Sequence, residues 1–208
     1  MNGKKDVLYT TKIDPQALGY EATKKVLKES LEKAKSIGYI DLVLIHAPRG
    51  DTEKRLGSWK ALEEAVQSGD VKDIGVSNYE IEHLQELLEN PNLKIKPSIN
   101  QLEVQPWFTR EKLIAFNKKA GIEVEAYSPL TRGKKLDDKE LVELGKKYGK
   151  SPAQILIRWS IDKGYIPLPR TTKEKRLEDN FDVFDFKLSE GDIKVLDGKD
   201  ENLRSRDI

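Results

Sequence analysis

The chain has no cysteine, so neither disulfides nor thiolate metal sites can form, and a soluble cytoplasmic protein is the expectation. Its two histidines, His46 and His83, are too few for a buried zinc site, which needs three or four clustered ligands. No metal is expected. The sequence shows no apolar run of membrane-spanning length and no basic leader followed by an apolar stretch and a small-residue cleavage site. An excess of one charge is missing too: 37 Lys and Arg against 36 Asp and Glu leave +1. Neither nucleic acid nor an anionic membrane is therefore an expected partner, and any basic site has to be local. No low-complexity tract or Pro/Gly/Ser linker divides the chain. Its 208 residues, 37% of them hydrophobic, suffice for one sizeable core, and a single domain over 1–208 is expected.

What is present is an alternation. Val7–Ile13 reads as a strand, and Tyr20–Ser36 as a helix with Val26, Leu27, Leu31 and Ala34 on one face, closed by Gly38. Ile40–Ile45 is a near-continuous apolar strand followed by His46, and Leu56–Ser68 sets Trp59, Leu62 and Val66 at helical spacing. Ile74–Val76 leads through Ser77, Asn78 and Tyr79 to a helix stopped at Asn90-Pro91. Ser98–Val104 and Ile122–Tyr127 are the next strands, with a helix over Thr109–Ala120 between them. Asp137 with Glu140, and Ser151 with Gln154, have capping-box spacing and open two further helices. Ile166–Leu168 is the last strand, and Ser189 with Asp192 opens a final short helix before a polar tail. Strands thus begin near residues 7, 40, 73, 98, 122 and 165 among amphipathic helices, the rhythm of a parallel α/β sheet.

In such sheets function gathers at the carboxyl ends of the strands. The residues standing there are Lys12, His46, Ser77, Asn78, Gln101, Tyr127 and Arg170. Tyr165–Phe186 (YIPLPRTTKEKRLEDNFDVFDF) is the densest stretch: Arg170 and Arg176 bring positive charge, and Thr171 or Thr172 can cap the helix that follows. It reads either as a phosphate site or as a capped helix with solvated charges. His83 has no motif around it and reads as a helix-surface residue. No glycine-rich phosphate motif of the Rossmann type occurs.

Five ordered stretches, IDLVLIHAP, GSWKALEEAVQSGDVKDIGVSNY, INQLEVQPW, AYSPL and Tyr165–Phe186, resemble the motifs of the aldo-keto reductase family. The resemblance spans essentially the whole chain. It implies a (β/α)8 TIM barrel fold, NADP(H) as cofactor and a small-molecule carbonyl substrate. By the same resemblance Lys12 is the catalytic lysine and His46 the histidine that orients the substrate carbonyl. Ser77, Asn78 and Gln101 would hold the nicotinamide carboxamide, and Tyr127 would stack on the ring. Ser128 and Leu130 would lie on the pyrophosphate side. Arg170, Thr171 and Arg176 would grip the adenosine 2′-phosphate, with Asp179 and Asn180 at the adenine.

The six strands align with the third to eighth of that barrel, so the expected fold is an N-terminally truncated barrel of about six βα units. The family's aspartate and its proton-donating tyrosine belong to the first two units. Tyr9 is three residues before Lys12 and faces the other way, and Tyr79 lies toward a helix, so neither substitutes. Ala47 stands where many relatives have Trp, Gln105 and Trp107 where His and Tyr are commoner, and Arg170 where lysine is usual. A long C-terminal specificity loop is expected to be short or missing. Met1–Lys5 reads as a genuine start, a loop remnant or an appended scar. Unpaired barrel edges make self-association expected. Two functions remain open from the sequence: an NADP(H)-dependent carbonyl reductase, or a fragment of one, and a non-catalytic NADP(H)-binding or scaffold protein.

Overall fold

The computed structural model describes residues 7–205. The readings of Met1–Lys5 and of the end of the polar tail lie outside the described residues. The elements run β1 (Thr10–Ile13), α1 (Tyr20–Lys33), β2 (Ile40–Ile45), α2 (Thr52–Gln67), β3 (Val71–Ser77), α3 (Ile81–Leu88), β4 (Ile99–Glu103), α4 (Glu111–Ala120) and β5 (Glu123–Tyr127). They continue with α5 (Lys139–Tyr148), α6 (Pro152–Asp162), β6 (Ile166–Leu168), α7 (Glu174–Phe181) and α8 (Glu190–Asp197). The strands pair in parallel, as the alternation requires. Among the described residues no helix is long and apolar enough to cross a membrane. The chain forms two compact units, one running through Gln101 and including Phe116–Glu123, the other made of Leu102–Ala115 and the residues from Val124 onward.

In the first unit β1 pairs with β2, β2 with β3 and β3 with β4, placing Lys12 opposite Leu44, Leu44 opposite Gly75 and Ser77 opposite Gln101. Close packing dictates Gly75: a Cβ there would lie 2.7 Å from both the Ile99 carbonyl oxygen and a Leu44 methyl. Ile13, Leu44, Ile45, Ile74 and Val76 are fully buried, as are Leu62 and Leu84 from the helices. Two buried polar side chains here have partners: Trp59 Nε1 donates to the Ile95 carbonyl at 3.0 Å, and Glu63 Oε1 accepts from the Lys94 and Ile95 amides at 2.7 and 2.8 Å. Two boundaries differ from the sequence reading. Helix α2 begins at Thr52 rather than Leu56, because the Asp51 carboxylate accepts from the Lys54 amide at 2.9 Å and caps a first turn that carries no apolar periodicity. Strand β1 begins at Thr10 rather than Val7; Val7 and Leu8 are 70% and 66% exposed.

In the second unit β5 pairs with β6, with Tyr127 opposite Leu168. Helix α6 buries Ile155, Leu156 and Trp159, and its Ser151–Gln154 capping box forms as the spacing predicts. The cap of α5 is Asp138 rather than Asp137: the Asp138 carboxylate accepts from the Leu141 amide at 3.0 Å and pairs with Lys199 at 2.8 Å. Ser189 caps α8 as expected, accepting from the Asp192 amide at 3.2 Å.

Asp192 anchors α8 to α5. Its carboxylate accepts from Lys147 at 2.7 Å, from Ser189 Oγ at 2.6 Å and from the Tyr148 hydroxyl. Burial works against the charge, but these donors outweigh it and hold the carboxyl down at about 2. Because the folded pKa lies below that of an unfolded aspartate, the stabilisation is complete above the ordinary carboxylate range and is lost as pH falls toward 2. Asp192→Asn is expected to lower stability at neutral pH by about 1–3 kcal/mol. Urea melts at pH 7 and pH 3 check this, the gap between variant and parent narrowing at the lower pH.

Candidate active site

In the first unit the carboxyl ends of four adjacent strands are tied together. The Ile13 carbonyl, next to the half-buried Lys12, accepts from the His46 amide at 3.2 Å. His46 is exposed at the first position after β2, and its own carbonyl accepts from Asn78 Nδ2 at 3.0 Å. The same Nδ2 lies 3.0 Å from Ser77 Oγ. The Gln101 carbonyl then accepts from Ser77 Oγ at 2.8 Å and from the Asn78 amide at 3.0 Å. His46, Ser77, Asn78 and Gln101, singled out from the sequence, therefore stand on one bonded rim, with Lys12 next to its Ile13 end. Asn78 has φ 61, the left-handed region that asparagine tolerates better than most residues.

Asn100, which the sequence reading passed over, supports this rim from below. It is fully buried, and its Nδ2 donates to the Tyr79 carbonyl at 3.0 Å. The only signal available was a polar residue within an apolar strand. Tyr79 is 2% exposed, and burial raises its hydroxyl pKa well above the ordinary tyrosine value, which suits a core ring and not a proton donor. Tyr9 precedes β1, 37% exposed, with its amide donating to Asp41 at 3.0 Å. His83 is not a plain surface residue: it is half-buried, its Nδ1 accepts from the Glu80 amide at 3.2 Å, and its ring meets Tyr79 edge-on at 5.7 Å. It is a helix-capping group.

The second unit carries the other predicted residues at the ends of β5 and β6. Tyr127 closes β5 half-buried, and Ser128 immediately turns the chain with φ 52. The Ser128 carbonyl accepts from the Thr131 amide at 3.0 Å and the Leu130 carbonyl from the Gly133 amide at 2.7 Å, so Ser128–Leu130 form a tight loop at the strand end. Arg170 is exposed just beyond β6. The expected cap at Thr171 or Thr172 is not made. Thr171 Oγ1 accepts from the Lys173 amide at 3.1 Å, closing a turn ahead of α7, and the N-cap is Lys173 with no side-chain acceptor. The first amides of α7 thus lack the side-chain oxygen that would have competed with an anion. Arg176 is exposed in the first turn, and among the described residues neither Arg170 nor Arg176 is paired with a carboxylate. Further along α7 the Asp179 carboxylate pairs with Lys175 at 3.2 Å, and Asn180 is buried. Two unpaired guanidinium groups at an uncapped helix start suit a phosphate monoester. Among the described residues no group of three or more His, Cys, Asp or Glu could hold a metal ion.

Parallel βα units with a polar rim at the strand ends define an α/β protein of the TIM-barrel class. The chain belongs to the aldo/keto reductase family, whose pattern it matches over residues 1–201, and is by that membership an oxidoreductase. It is 43% identical over 197 residues to an uncharacterized oxidoreductase of Saccharomyces cerevisiae, a match covering 95% of this chain and 70% of the relative. It is 39% identical over 202 residues to the glyoxal reductase of Bacillus subtilis, covering 96% of this chain and 71% of that enzyme. Among solved structures, the Bombyx mori aldo-keto reductase in complex with NADP superposes with a TM-score of 0.90 at 36% identity, covering 99% of this chain and 72% of that one. The fold is therefore that of an aldo-keto reductase barrel, represented among the described residues by six strands.

The left-handed turn at Asn78 yields a direct test. Asn78→Val places a β-branched side chain at φ 61 and removes both amide bonds. A loss of about 2–4 kcal/mol is expected in chemical denaturation. Asn78→Gly keeps the backbone free to turn and should lose only about 1 kcal/mol.

Proposed function

We propose that this chain binds NADP(H) and serves the reduction of aldehydes and ketones to alcohols. The observation that carries the proposal is the pair Arg170 and Arg176, exposed and, among the described residues, without a carboxylate partner beside the uncapped start of α7. Family membership and the NADP-bound relative support it. When bound, NADPH supplies the hydride. The two guanidinium groups and Thr171 bind its 2′-phosphate, and Asp179 and Asn180 meet the adenine. Ser128 and Leu130 lie against the pyrophosphate. Ser77, Asn78 and Gln101, fixed by their mutual hydrogen bonds, orient the carboxamide, and Tyr127 stacks on the ring.

Hydride addition builds negative charge on the carbonyl oxygen, and His46 and Lys12 are the groups proposed to meet it. His46 orients the carbonyl, and the Lys12 ammonium lowers the pKa of a proton donor beside it. Neither the buried Tyr79 nor the exposed Tyr9 suits the donor's role. General acid catalysis contributes about 10²–10⁴-fold, so turnover by these residues alone is proposed to fall short of a complete barrel by roughly that factor.

Quenching of NADPH fluorescence and turnover of a reactive aldehyde by the 208-residue chain test both halves. Binding with turnover at least about 100-fold below a full-length relative is expected. Turnover equal to that relative would mean that a proton donor acts within these residues, and absence of binding would remove the proposal. Arg176→Ala should weaken NADPH about 10–100-fold, the loss of a charged contact worth about 1–3 kcal/mol, while leaving NADH affinity unchanged.

A further inference from the structure

Within the second unit, the turn that follows β5 is strained. Ser128, Thr131 and Arg132 have φ 52, 50 and 55, and Thr131 is both β-branched and fully buried. A β-branched residue in the left-handed region persists only where its surroundings enforce it. Part of the enforcement is local: the Leu130 carbonyl accepts from Thr131 Oγ1 at 2.7 Å, and Thr131 Oγ1 accepts from the Lys135 amide at 3.2 Å. The rest comes from Lys199–Ser205, the strap that follows α8 in the same unit.

The strap is seated on the turn after β4 by its main chain. The Leu203 amide donates to the Trp107 carbonyl at 2.9 Å, and the Leu203 carbonyl accepts from Gln105 Nε2 at 2.9 Å. Glu103 Oε1 accepts from the Ser205 amide at 2.8 Å, and the Thr109 hydroxyl bonds to the Asp200 carboxylate. Glu103, Gln105 and Thr109 are buried, so the seat is fixed. Because it reads the backbone of the strap, the strap's charged side chains are left to reach elsewhere.

They reach the connection between β5 and α5. Lys199 pairs with Asp138 at 2.8 Å and with Glu140 at 3.0 Å, and Glu201 pairs with Lys135 at 2.5 Å. The Lys199 and Asp138 side chains are only 13% and 19% exposed, whereas Lys135 and Glu201 are 30% and 50% exposed, so the first pair is the less screened by solvent. Both ammonium groups also lie over the Trp107 ring, 5.5 and 5.8 Å from its centre. Lys135 thus joins the two parts: its amide holds Thr131 and its ammonium is held by the strap.

We infer that Lys199 and Glu201 are positioning residues, through which the strap holds the base of the Ser128–Thr131 turn and so slows the escape of a nucleotide diphosphate bound against it. They act through Asp138 and Lys135. The inference rests on the proposal that Ser128 and Leu130 lie against the cofactor's pyrophosphate.

Two measurements on the 208-residue chain test it: hydrogen exchange of the Thr131 and Gly133 amides without ligand, and stopped-flow release of NADPH displaced by excess NADP+. Lys199→Met should speed both about tenfold while leaving the α6 amides near Leu156 and the NADPH association rate unchanged. Lys135→Glu and Glu201→Lys should each speed release about threefold, and the two together should restore it, a rescue that loss of bulk stability would not give. Unchanged exchange and release in folded Lys199→Met, equal acceleration at α6, or a double variant as fast as the singles would each overturn the inference. Failure of the unsubstituted chain to bind NADPH would remove the proposed function, while exchange at Thr131 and Gly133, read without ligand, still decides whether the strap holds the turn.

Discussion

The register of the parallel ladder in the first unit is the constraint on which the rest depends. Because Lys12 lies opposite Leu44, Leu44 opposite Gly75 and Ser77 opposite Gln101, the ends of β1, β2 and β3 meet one another and Gln101 of β4. A slip of one residue in any strand would send its side chains to the other face. Gly75 protects that register, since a side chain there would strike both β2 and β4. The amides and carbonyls left over at the strand ends then bond to one another, from Ile13 to His46, His46 to Asn78 and Asn78 to Gln101. The rim is polar because these backbone groups at the strand ends bond to a side chain or to a neighbouring strand.

Much of this was legible in the sequence. Apolar runs such as IDLVLI are long enough and bounded clearly enough to name the strands, and Ser151-Pro152 with Gln154 announces its helix without ambiguity. What periodicity could not show were ends made by single polar residues. Asp51 starts α2 four residues before the apolar pattern does, and Asp138 rather than Asp137 caps α5 because it is the one that also meets Lys199. The capping of α7 was misread for a related reason: Thr171 has the right chemistry but spends its hydroxyl on an earlier turn.

The site residues were legible only through the order of the motifs. A lysine at a strand end or a histidine after an apolar run is in isolation a solvated group, and local pattern does not reveal that Ile13, His46, Asn78 and Gln101 will be bonded in series. His83 shows the converse, a residue without a motif that closes the start of α3 through its ring nitrogen. Long-range partners of this kind, like Asn100 with Tyr79, are fixed by tertiary packing that no window of sequence contains.

Within the second unit, Arg170 and Arg176 by the uncapped start of α7 are the groups proposed to hold the cofactor's 2′-phosphate. The most direct measurement is an NMR titration of the isotope-labelled chain with NADP+, following backbone amides. Shifts at Thr171, Arg176 and Asn180 that saturate as NADP+ is added are the predicted result. The absence of shifts at these amides would contradict it.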